Sequence, residues 1–170
     1  IISWQISGDI RLLSVYSLGQ EVQTQLLSAD CSEFTVCDLD GDGAQELLDL
    51  SVDYGGVSTM TRYVFGADSS VNESYARISD GVTEVLRVRT GYLSDGTSAL
   101  FVESRWGGED LITDVFIVSG GEIANITMSG GGRSNTLRAG DAYAADINGD
   151  RALEIPDSAG DILNWYALDS

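Results

Sequence analysis

The chain has no lysine and no histidine, one proline (Pro156) and two cysteines among its 170 residues. Each scarcity removes a class of chemistry. Without histidine, Ser-His-Asp and Cys-His catalysis lack their general base, and zinc sites of the usual His/Cys kind lack ligands. Without lysine, Schiff-base chemistry is unavailable. No apolar run approaches the ~20 residues that cross a bilayer as a helix, so membrane insertion of this segment is not expected. No window of ten or more residues holds a capped 3.6-residue period, and helices are not expected either. Cys31 and Cys37 would share one face of a strand about 20 Å apart, beyond disulfide reach unless the chain turns between them. Two reduced, partly buried thiols are the expectation, which leaves the redox compartment open. The opening Ile1-Ile2-Ser3-Trp4 has no marks of a secretory leader, and this says little about compartment.

What the chain has in excess is acid. Against nine arginines stand 27 aspartates and glutamates, for a formal charge of −18. Such a surface repels phosphate backbones and anionic lipid, so nucleic acid and membrane surfaces are poor partners. The 43% hydrophobic content and the length suffice for a folded chain with a sizeable core. Twenty glycines and abundant Val, Thr, Tyr and Ile point to strands joined by many turns.

The acid is concentrated in one pattern. Asp38-Leu39-Asp40-Gly41-Asp42-Gly43-Ala44-Gln45-Glu46 places carboxylates at its first, third, fifth and ninth positions. Crowded hard oxygens of this kind suit calcium, and Gly43 falls where such loops need a positive φ. A second copy, Asp146-Ile147-Asn148-Gly149-Asp150-Arg151-Ala152-Leu153-Glu154, lies 108 residues on (38 to 146). It replaces the aspartate at position three with Asn148 and the glycine at position six with Arg151. A left-handed arginine costs roughly 1 kcal/mol, so the second loop is expected to bind more weakly. Half the offset points to a middle copy. There Asp95-Gly96, followed by Leu100-Phe101, keeps the turn and the next strand but has lost most ligands.

Between these loops the pattern is β. Segments 33–37, 47–52, 61–65, 84–89, 99–103, 110–119 and 122–128 alternate or run apolar, with Asp-Gly and Gly-Gly punctuation between them. Three units of about 54 residues follow, at approximately 1–66, 67–119 and 120–170, within a single repeat domain. About 50 residues and four strands per unit is the arithmetic of a propeller blade. Three blades do not close a ring, so the units belong to a larger propeller or an open stack.

The 38–48 segment resembles the calcium loop of FG-GAP and VCBS-type repeats, which build β-propellers in integrin α-subunits and in secreted or surface bacterial proteins. Asp146 to Pro156 is similar to the same repeat, and Phe65-Gly66-Ala67 faintly resembles the Phe-Gly…Gly-Ala-Pro signature. The resemblance spans roughly residues 30–156. It implies calcium held by Asp38, Asp40, Asp42, the Ala44 carbonyl and Glu46, and again by Asp146, Asn148, Asp150, the Ala152 carbonyl and Glu154. It also implies a module that binds or scaffolds rather than catalyses. The rival motif is an EF-hand, with Gly43 at position six and Asp49 at position twelve. It needs flanking helices, and both flanks read as strands.

Other candidates are weaker. Glu103 and Glu109-Asp110 near Trp106 are the carboxylates a glycosidase could pair, but they read as loop residues. Gly130-Gly131-Gly132-Arg133 reads as a turn, because no strand-to-helix transition follows it. Trp4, Trp106, Trp165 and Tyr166 could stack on sugar rings, though a tryptophan in such a sheet is more often core. Asn125-Ile126-Thr127 is a glycosylation sequon inside an expected strand.

Together these point to an all-β, calcium-stabilised protein of antiparallel propeller-type repeats. It is expected to be extracellular or cell-surface attached, where weak calcium sites fill. The expected role is non-catalytic recognition or scaffolding of a glycan or protein ligand. A carbohydrate-active enzyme or a purely structural spacer is the alternative.

Overall fold

The computed structural model describes residues 1–8, 10–18, 23–53, 57–159 and 162–170. Among them are thirteen strands and no helix, arranged in four antiparallel sheets. The first sheet pairs β1 (Ile2–Ser7), β2 (Ile10–Leu18) and β3 (Gln23–Asp30) in chain order. The second is a four-stranded meander of β4 (Glu33–Cys37), β5 (Glu46–Ser51), β6 (Thr59–Phe65) and β7 (Val71–Arg77). The third repeats it with β8 (Val82–Tyr92), β9 (Ser98–Trp106), β10 (Asp110–Ser119) and β11 (Glu122–Asn125). The last pairs β12 (Ile155–Ala159) with β13 (Ile162–Tyr166).

The expected strand at 33–37 is β4, and that at 110–119 is β10. The strand expected over 122–128 stops at Asn125. There the Asn125 Oδ1 accepts the Thr127 N–H at 3.1 Å, and this local turn competes with the ladder. β7 escaped the pattern because Val-Asn-Glu-Ser-Tyr-Ala-Arg is an outer strand with few buried positions.

The sheets do not coincide with the expected units. The 66/67 boundary falls in the β6–β7 hairpin and the 119/120 boundary in the β10–β11 hairpin, each inside a sheet. Gly66 and Gly120-Gly121 punctuate those hairpins as strongly as anything between sheets. Sequence punctuation alone therefore could not rank the two kinds of turn.

The sheets pack in chain order, with an apolar layer between each neighbouring pair. Leu13 and Val15 of the first meet Leu47 and Tyr63 of the second. Leu48, Leu50 and Met60 of the second meet Leu100, Val102, Ile112 and Phe116 of the third. Ala99, Phe101, Val115 and Ile117 of the third meet Leu153 and Ile155 at the fourth. Successive residues of β5, β9 and β10 therefore serve opposite layers, which is why these strands read as nearly continuous apolar runs. The pattern also places the loops, since the hairpins joining the first two strands of the second and third sheets lie at 38–45 and 93–97.

Candidate metal centre

The first acidic loop joins β4 to β5 and is closed by the antiparallel pair Cys37↔Glu46. The second is closed by Ala145↔Glu154, the same pair 108 residues on. Inside each loop the carboxylates fold back on the backbone with the same connections. The Gly41 and Gly43 N–H groups donate to the two oxygens of Asp38 at 2.8 and 3.0 Å. Gly149 and Arg151 donate to those of Asp146 at 2.7 and 3.0 Å. Ala44 N–H donates to Asp42 at 2.7 Å, as Ala152 N–H does to Asp150 at 2.8 Å. Leu39 N–H reaches Glu46 Oε2 at 2.6 Å, and Ile147 N–H reaches Glu154 Oε2 at 3.0 Å. Short Asp side chains accept such local bonds readily, so the one-letter pattern carries its own fold.

Two positive-φ positions per loop complete the match: Gly41 (76°) and Gly43 (91°), then Gly149 (83°) and Arg151 (80°). Arg151 thus takes the left-handed conformation expected of it. The strain at Arg151 is that of a side-chain-bearing residue held at positive φ. Arg151→Gly is expected to stabilise the chain by about 1 kcal/mol. A thermal melt should read this as a rise of about 2–4 °C, and an unchanged or lower midpoint would show that the arginine makes a compensating contact.

The loops differ in what they gather. In the first, oxygens of Asp38, Asp40, Asp42 and Glu46 lie within 4.8 Å of one another, which among the described residues is the one such acidic group. Hard, anionic oxygens at this spacing could hold a metal ion. Glu46 is buried at the base of the loop. Burial pushes its pKa up, against the Leu39 N–H and the Arg62 guanidinium that hold it down. In the second loop the Asn148 amide turns inward, donating to Asp150 Oδ2 and Glu154 Oε1, each at 2.9 Å. The hydrophobic residue at position two also parts ways. Leu39 is 2% exposed under the third sheet, whereas Ile147 is 52% exposed.

Arg62 was not legible in the loop. It lies on β6, 22 residues from Asp40, and its Nη2 donates to Asp40 Oδ2 and, at 3.0 Å, to Glu46 Oε1. Only the pairing of β5 with β6 brings it there.

The remaining candidates resolve into structure. Glu103 is a strand residue, not a loop residue. It is buried on β9 between Arg138 (3.7 Å) and Arg87 (3.9 Å), and it accepts the Ala144 N–H. Glu109 is exposed in the β9–β10 turn and Asp110 opens β10. Trp106 is half-buried against the core, donates to the Asp80 carbonyl at 2.8 Å and carries Arg133 at 5.4 Å from its ring centroid. The Gly130–Arg133 turn packs on the link between the second and third sheets, where a Cβ at Gly132 would collide with Asp80. Trp4 packs edge-on to Phe34 at 5.5 Å, and Tyr166 packs on the Leu153–Ile155 layer. The three tryptophans therefore lie in three different sheets and share no platform. Asn125 spends its amide on the Arg77 carbonyl and on Asp114, at 2.9 and 2.8 Å. Both cysteines are free; burial pushes the Cys37 thiol up to about 11 and Cys31 higher still. No helix among the described residues is long and apolar enough to cross a membrane.

Comparison with known proteins finds no matching family model, no matching curated protein and no matching solved structure.

Proposed function

We propose that this chain is a calcium-stabilised β-repeat module of the FG-GAP/VCBS propeller type, with a recognition or scaffolding role outside the cell. The observation that carries the reading is the four-carboxylate group of Asp38, Asp40, Asp42 and Glu46, set in a hairpin turn whose internal bonding recurs at 146–154. Four carboxylates so close repel one another, and the single Arg62 guanidinium on Asp40 and Glu46 offsets only part of that charge. A cation bound only by the folded form adds RT ln(1 + [L]/Kd) to stability. The Ala44 and Ala152 carbonyls complete the two ligand sets. The second loop, with three carboxylates and a neutral amide, is the weaker site.

Two four-stranded meanders stacked face to face support the blade reading. So does Ile147, which lies open where its counterpart Leu39 is covered by the following sheet. On that reading the exposed side of the last sheet is where a further blade packs. On this reading the ligand, a glycan or a protein, is bound without chemistry, and the burial of Glu103 between Arg87 and Arg138 supports it.

The test is a thermal melt in excess calcium and again in EGTA. At a hundredfold excess over Kd the gain is about 2.7 kcal/mol, or about 5–10 °C for a chain of this size. Asp40→Ala/Asp42→Ala is expected to abolish most of it. Identical midpoints with and without calcium in the parent chain would make 38–46 an acidic turn and remove the basis of the proposal.

A further inference from the structure

Arg62 is the feature that most separates the first loop from the second. Its side chain is only 6% exposed, yet it ends among carboxylates. Nη2 donates to Asp40 and Glu46, two of the four oxygens-bearing groups of the cage, and Nη1 donates to the Gly121 carbonyl of the β10–β11 turn at 3.1 Å. Nε is buried with no acceptor among the described residues. A buried donor left unmade is costly, so the guanidinium sits where the acidic cage draws it and not where all its donors are met. Among the described residues no guanidinium bonds to the second loop's side chains. A neutral amide, Asn148, holds Asp150 and Glu154 instead.

We propose that Arg62 is the resident counter-ion of the first loop and competes with calcium for Asp40 and Glu46, so that it sets the affinity of that site. The proposal rests on the calcium reading above. A carboxylate oxygen that accepts from a guanidinium has that lone pair occupied, and a divalent ion entering beside it meets a like charge. Arg62 therefore keeps the empty loop folded and weakens the filled one. Its bond to Gly121 anchors the guanidinium to the third sheet, so the competing charge is held in place and not free to swing into solvent. The loop would fill only where calcium is plentiful, and would hold its shape elsewhere.

The experiment is a calorimetric calcium titration of the intact chain carrying Asp146→Asn/Asp150→Asn, so that the first loop alone reports. It is compared with the same chain carrying Arg62→Gln or Arg62→Lys. Arg62→Gln is expected to bind calcium about tenfold more tightly, the scale of one screened unit charge a few ångströms away. Its melting midpoint in EGTA should fall, because Asp40 and the buried Glu46 Oε1 lose their guanidinium. Arg62→Lys should lie between, since it keeps the charge but has no second nitrogen to hold it against the Gly121 carbonyl. It decides the matter alone if the glutamine variant does not fold. Unchanged or weaker calcium binding in the folded variants, beside a normal parent response, overturns the competition and leaves the calcium reading intact. No binding by parent or variants overturns both.

Discussion

Asp114→Ala is expected to lower the unfolding free energy by about 3–5 kcal/mol, the scale for stranding the three donors of a buried carboxylate at roughly 1–3 kcal/mol each. Asp114 is fully buried on β10. It accepts the Ser79 hydroxyl at 2.6 Å, the Ser79 N–H at 3.1 Å and the Asn125 amide at 2.8 Å. Ser79 belongs to the four-residue link from β7 to β8, and Asn125, at the end of β11, also donates to the Arg77 carbonyl. One carboxylate thus ties the second sheet to the third through the link that joins them. Burial pushes its pKa up, while the Ser79 and Asn125 donors favour the ionised form. Truncation leaves those three donors without their acceptor and also opens a cavity. Asp114→Asn keeps the volume but turns one acceptor into a donor facing donors, so it should recover only part of the loss. Urea unfolding of the three chains, fitted with a common slope, checks this. A loss below about 1 kcal/mol for the alanine variant would place the tie elsewhere.

Asp49→Asn runs in the other direction, to a gain of about 3 kcal/mol at pH 7.5. Asp49 is buried on β5, facing the first sheet, and its Oδ1 has no hydrogen-bond partner among the described residues. Burial raises its pKa to about 6, with the Asp30 charge adding to the rise and the Cys31 thiol opposing it. The value of an unfolded aspartate is 3.8. Between those two pH values the folded chain holds a proton that the unfolded chain has released. Stability from this group therefore increases as pH falls through 6, levels off below about 4, and is lost again as pH rises. Above pH 6 the native state carries a buried charge whose cost follows from the shift, at 1.36 kcal/mol per unit. The asparagine variant never carries that charge. It should be the more stable chain at pH 7.5 and lose its advantage near pH 4. Urea unfolding of both chains at the two pH values tests the claim, and a difference independent of pH would mean that Asp49 is already paired when ionised.

Asp114 and the Glu103–Arg138 pair follow one logic, and Asp49 shows the cost of missing it. A strand covered on both faces has no side on which to leave a charge in water, so each charge it keeps must find partners from another part of the chain. Arg138 shows how far that reaches. It donates to Ala142, Thr136 and Thr113 as well as approaching Glu103, and so sews the 136–144 segment to β9 and β10.

The all-β class was readable because the apolar residues of β4, β8 and β10 alternate or run together between Gly and Asp punctuation, a purely local signal. The two acidic loops were readable for the same reason. Each of their bonds spans eight residues or fewer, so spacing in the sequence is distance in space, and even the left-handed Arg151 could be read from its place in the copy. What lay beyond the sequence joins distant positions. That 38–46 ends under a third sheet while 146–154 lies open, that Arg62 enters the cage from the next strand but one, and that Asp114 finds Ser79 all depend on strand pairing and sheet stacking. The number of sheets and their limits belong to this group too, since turns within a sheet and links between sheets use the same residues. Tertiary packing decided these because burial, and not composition, determines which charges must be paired and with what.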